Sequence, residues 1–171
     1  MTTPEFSRPV DVRQADRKHM RLEARDAERI ALARRFGLVR IDRLEAELDL
    51  DRDGSNVGVS GGLVADIVQS CAVSGEDLPV KIDQPLALRF VPYAAAGADE
   101  DLEIDSAEID EIEYQGSEFD LGEAVAQSLA LMIDPFATGP QAEQARRDAG
   151  LGDEAGSGPF AALAKLKTNN P

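Results

Sequence analysis

The chain has 171 residues, 43% hydrophobic and 30% charged, which is enough for one sizeable core and cramped for two. Its formal charge of −15 is uneven: residues 1–40 hold ten Lys/Arg against six Asp/Glu, and residues 41–171 hold eight against twenty-seven. An acidic body repels phosphate backbones and attracts basic partners, so it argues against DNA binding and against wrapping of RNA, and only the N-terminal segment has the sign for touching nucleic acid. The single cysteine, Cys71, excludes an internal disulfide and suits a reducing compartment. No apolar run reaches signal-peptide or membrane-spanning length, so the expectation is a soluble cytoplasmic protein with no membrane contact.

In chain order, residues 19–24 alternate polar and apolar, which predicts a half-buried strand. Asp26 reads as the N-cap of a helix over 27–36 with Ile30, Ala33 and Phe36 on its apolar side, Arg34 and Arg35 in its last turn, and Gly37 at the C′ position. From Leu38 the period becomes two, through Val39, Ile41, Leu44, Ala46, Leu48 and Leu50, with a bulge expected near Asp42-Arg43. Asp53-Gly54 signals a hairpin turn, and a return strand runs from Val57 to Gln69. A turn at 74–77 leads to Val80–Ile82 and then Leu86–Val91, with Pro85 expected to interrupt them. The succession predicts an antiparallel meander over 38–93.

Residues 94–110 read as a long acidic loop, after which Ile109, Ile112 and Tyr114 resume a strand. Asp120 caps the best-marked helix, over 120–133, with Glu123 placed as in a capping box. Leu121, Ala124, Val125, Ser128, Leu129 and Met132 form its buried face, and Asp134-Pro135 ends it. Residues 138–157 read as a flexible connector and 158–171 as a short C-terminal helix and tail, with Pro159 at its first position. The expected architecture is therefore one α+β domain over 1–137, a mainly antiparallel sheet (meander or barrel-like) flanked by two or three short helices.

Candidate chemistry is sparse. Asp49-Leu50-Asp51-Arg52-Asp53-Gly54 matches the start of a calcium loop, but position 12 is Ser60 rather than a bidentate glutamate and the flanks alternate like strands; a charged hairpin end is the better reading. His19, the only histidine, lies in an alternating strand beside Lys18 and Arg21, as an exposed strand residue does. Cys71 reads as a small residue ending a half-buried strand rather than a nucleophile. No phosphate loop or RNA-binding aromatic signature is present. These readings leave no catalytic, cofactor-binding or metal residues to assign.

Three segments together resemble the YceD family of large ribosomal RNA subunit accumulation proteins. The first is Val68-Gln69-Ser70-Cys71-Ala72-Val73-Ser74, continuing through Leu78-Pro79-Val80 to Leu88-Arg89-Phe90. The second is Glu118-Phe119-Asp120-Leu121-Gly122-Glu123-Ala124-Val125, running on to Asp134-Pro135. The third is Gly158-Pro159-Phe160-Ala161-Ala162-Leu163-Ala164-Lys165-Leu166-Lys167, similar to the family's N-P-F-x-x-L-x-x-L-K closure. The resemblance covers roughly residues 60–167, the bulk of a domain. It implies a role in accumulation of large-subunit (23S) ribosomal RNA and in large-subunit assembly, with no family active site to carry over. Members commonly have C-x-x-C where this chain has Cys71-Ala72-Val73-Ser74, and one thiol cannot make a thiolate zinc site.

The expected function is a non-catalytic factor that binds a basic ribosomal protein or the pre-large-subunit ribonucleoprotein through its acidic body. Direct RNA contact stays open, with the N-terminal segment and Lys165/Lys167 as the places for it. The alternative from another class is a metal-dependent RNA-processing enzyme using carboxylates of the acidic loop; a structural subunit of another complex is a third. The segment carrying Phe160, Leu163 and Leu166 is expected to serve at least partly as a recognition element.

Overall fold

A computed structural model describes residues 4–93 and 110–150. Its elements are β1 (Pro9–Asp11), a 3-10 turn (Val12–Gln14), β2 (Lys18–Glu23), α1 (Asp26–Phe36), β3 (Arg40–Asp53), β4 (Asn56–Ser70), β5 (Asp77–Pro92), β6 (Asp110–Tyr114), β7 (Glu118–Asp120), α2 (Leu121–Met132) and α3 (Ala142–Asp148). The described residues divide into two compact units, one of residues 4–69, 79–93 and 110–134 and one of residues 70–78 and 135–150.

The first unit is α+β. Its open five-stranded sheet has the order β2-β3-β4-β5-β6, and a separate two-stranded sheet joins β1 to β7. The alternation of β3 and β4 is read out directly: Leu44, Ala46, Leu48 and Leu50 of β3 and Val57, Val59, Leu63 and Ala65 of β4 are buried on one face. The register slips between Ile41 and Arg43, where the sequence has two polar residues in succession. Gly54 turns the β3–β4 hairpin with φ at +62°.

Several expectations need correction. The sheet is mainly antiparallel, with the meander expected over 38–93 present as β3-β4-β5, but β6 adds to β5 in parallel, Leu88 opposite Asp110 and Phe90 opposite Ile112, and the sheet does not close into a barrel. Pro85 does not interrupt β5. Among the described residues, β6 pairs with Leu88–Pro92 and with no part of β5 upstream of Leu88, and a strand tolerates proline on a side without a ladder. α1 starts at Asp26 with Arg25 as its N-cap, because the Glu28 carboxylate accepts from the Arg25 N–H (2.7 Å). Leu32 and Ala33 are its buried residues, while Ile30 is 55% exposed. Gly37 ends it with φ at +67°, as expected.

α2 buries Leu121, Ala124, Val125, Ser128 and Leu129 as the spacing predicts, and Gly122 and Ala126 as well. Phe90 stacks on Phe119 with ring centroids 4.2 Å apart, and the Tyr114 hydroxyl donates to the Ser55 carbonyl at the tip of the β3–β4 hairpin (2.6 Å). In the second unit, residues 142–148 form α3 within the stretch expected as a connector. The acidic loop, apart from Asp110, and the C-terminal segment with Pro159, Phe160, Leu163, Lys165, Leu166 and Lys167 lie outside the described residues.

Candidate functional site

The motif around α2 is built first by its cap. Asp120 Oδ1 accepts from the Glu123 N–H (3.0 Å) and from the Arg8 N–H (2.8 Å), and its other oxygen accepts from the Ser7 hydroxyl (2.5 Å). Pro9 lies opposite Asp120 in the β1–β7 ladder, and the Leu121 N–H donates to the Arg8 carbonyl (3.1 Å). A Cβ on Gly122 would stand 2.6 Å from the Phe6 carbonyl oxygen, so only glycine lets the N-terminal strand come this close. Glu123 does not complete a capping box. Its carboxylate takes two hydrogen bonds from Arg35 (2.8 and 3.0 Å) instead. Asp120, Leu121, Gly122 and Glu123 thus seat the N-terminal segment on the start of α2.

The second motif residue, Cys71, follows the end of β4 and is buried. In its turn Gly75 has φ at +73°, and the Cys71 N–H donates to the Glu76 carbonyl (2.8 Å). Its Sγ accepts from the backbone N–H groups of Ser74 (3.4 Å) and Gly139 (3.3 Å). The Ser74 hydroxyl donates to Glu76 Oε2 (2.9 Å), and the Ser74 side chain together with the N–H groups of Gly139, Ser74 and Val73 pulls the thiol down to about 6. Leu78 and Pro79 open β5 just beyond this turn, and the Leu78 side chain lies near Gly139.

The calcium-like stretch lies in β3 and the hairpin turn, not in a loop. Asp49, Asp51 and Asp53 point to the exposed side of the sheet, and His19 Nδ1 sits 2.7 Å from Asp49 Oδ1 on the neighbouring strand. Among the described residues no three His, Cys, Asp or Glu side chains are grouped to hold a metal ion. No helix among them is long and apolar enough to cross a membrane.

The sequence reading missed a feature of this exposed side. Opposite Asp51 and Asp49 on β4 stand Gly58 and Ser60, and the next strand adds Ala87. These small residues leave a trough of about 430 Å³, bounded by Asp49 and Asp51 on one side and Arg89 on the other. The signal was present as Gly and Ser at alternate positions of β4, facing Asp and Glu at alternate positions of β3.

The N-terminal positive charge proves largely engaged within the fold. Arg8 pairs with Glu28, Arg13 with Asp11, Arg21 with Glu45, Arg29 with Asp26, Arg35 with Glu5 and Glu123, and Arg40 with Asp42. Arg8 is raised above its ordinary value chiefly by its hydrogen bonds to Glu28, and Glu28 is lowered chiefly by the same contact.

The family model described as large ribosomal RNA subunit accumulation protein YceD matches residues 59–167, more than half of the chain. No curated protein and no solved structure matches it.

Proposed function

Because the chain belongs to the YceD family, whose name records accumulation of the large ribosomal RNA subunit, we propose that it promotes large-subunit assembly without catalysis, by binding a basic ribosomal protein or the pre-ribosomal particle in the cytoplasm. The observation that carries this reading is the internal pairing of the N-terminal arginines. Six of them answer carboxylates of their own chain, so the segment with the sign for RNA has little charge left to offer phosphate. The acidic surface remains, and it complements the lysine- and arginine-rich chemistry of a protein that itself binds RNA. Lys165 and Lys167 are the remaining candidates for touching RNA once the protein is docked.

The carboxylates of the described sheet are strung along its exposed side and do not converge on one point, as two-metal catalysis would require. Affinity capture from cells, with and without nuclease, tests the reading. It expects a large-subunit protein to stay bound after RNA is digested; loss of every ribosomal protein on digestion would overturn it.

A further inference from the structure

The exposed side of the five-stranded sheet carries unsatisfied charge beside open space. Glu47, Asp49 and Asp51 alternate along β3 on this side, while the core-facing Leu48 and Leu50 between them are buried. Asp51 makes no ion pair among the described residues, and Glu47 reaches only Arg21, at 4.0 Å. Across the trough, Arg89 is drawn 3.7 Å from Glu111 of β6, so the cation on that wall is already answered. The floor between them, at Gly58, Ser60 and Ala87, has nothing taller than a hydroxyl. A Cβ on Gly58 would meet only the Asp51 carbonyl, at 3.7 Å.

We propose that this trough is the docking surface for an extended lysine- or arginine-rich polypeptide segment. The inference rests on the reading of a basic large-subunit partner and specifies where on this chain the partner sits. Shape and charge act together here. Single exposed ion pairs contribute little each, so carboxylates alone would hold a partner weakly. The low floor lets a main chain descend between the strands. Its lysine or arginine stems then lie on Gly58 and Ala87, with the charged heads on Asp51, Asp49 and Glu47. Nucleic acid has the wrong sign for the same wall.

The test uses the full chain and two probes: proteins extracted from purified large subunits and freed of RNA, and intact large subunits. The variants are Asp51→Lys/Ser60→Arg, which reverses the wall and fills the floor, and Asp148→Lys, the same aspartate-to-lysine reversal placed on α3. Wild type and Asp148→Lys are expected to bind the RNA-free proteins, with the double variant weaker by about tenfold or more at unchanged melting temperature. Where the double variant melts lower than wild type, Ala87→Arg on β5 replaces it. Undiminished binding by the trough variants would overturn the docking site and leave the basic-partner reading standing. Failure of wild type to bind the RNA-free proteins, with or without binding to intact subunits, would overturn both.

Discussion

Arg35 in the last turn of α1 and Glu123 in the first turn of α2 are joined by two hydrogen bonds, Nη2 to Oε1 at 2.8 Å and Nη1 to Oε2 at 3.0 Å. Arg35 Nη1 also donates to Glu5 Oε2 (2.9 Å), so one guanidinium ties both helices to the N-terminal segment. Both side chains are partly shielded, at 33% and 20% exposure. Arg35→Ala should therefore cost about 1 kcal/mol, more than an isolated surface pair. Arg35 holds the Glu123 carboxyl below its ordinary range. A carboxyl depressed in the fold stabilises it above the unfolded value, about 4.3, and gives this up as pH falls toward the folded value. Denaturant titrations should show the wild-type advantage over Arg35→Ala in full at pH 7 and shrinking below about pH 4. A gap independent of pH would contradict the pairing.

Gly61 and Gly62 should respond in opposite ways to the same change. A Cβ on Gly61 would lie 2.0 Å from the Glu47 carbonyl oxygen and 3.0 Å from the Leu48 Cα, both backbone atoms of the paired strand. On Gly62 it would meet only the Gln84 carbonyl, at 3.9 Å. Gly61→Ala should cost several kcal/mol, about 2–4, whereas Gly62→Ala should be neutral or slightly stabilising. Equal melting temperatures for the two variants would show that the strand relaxes around Gly61.

That contrast was not legible in the sequence, where the two glycines are equivalent. What could be read was local: the bulge beside Asp42-Arg43, the left-handed Gly37, the cap at Asp120 and the buried stripe of α2. What could not be read depends on residues far apart. The N-terminal segment buries Phe6, Val10 and Val12, and Pro9–Asp11 pairs with Glu118–Asp120 more than a hundred residues later; no local period announces such a pairing. Ile30 looked like a core residue because α1 has weak amphipathic patterning, and tertiary packing chose Leu32 instead. The motif residues Asp120 and Gly122 could be named from the sequence, but their task of holding residues 6–9 required the fold.

Cys71 should exist as a thiolate at neutral pH. Hydrogen bonds from Ser74 and from the backbone at Gly139, Ser74 and Val73 bring it to about 6, and ultraviolet thiolate absorbance should titrate with that midpoint. A midpoint near the ordinary thiol value of about 8.5 would contradict the geometry. Since the folded value is depressed, its stabilising contribution is full above about 8.5 and is lost as pH falls through 6. Ser74→Ala should move the midpoint upward. Cys71→Ser should keep the fold, because no second thiol depends on Cys71.

The C-terminal motif separates core from recognition by a deletion. Removing residues 158–171, with Phe160, Leu163 and Leu166, should leave the melting temperature nearly unchanged while weakening association with large-subunit particles in sedimentation. A large fall in melting temperature would place the segment in the core instead.

The most direct measurement is the ratio of large- to small-subunit ribosomal RNA in cells depleted of the protein, with wild type or the Asp51→Lys/Ser60→Arg variant supplied in its place. The ratio should fall on depletion, recover with wild type, and recover poorly with the trough variant at equal protein level. A ratio that does not move on depletion would contradict the role in accumulating large-subunit RNA.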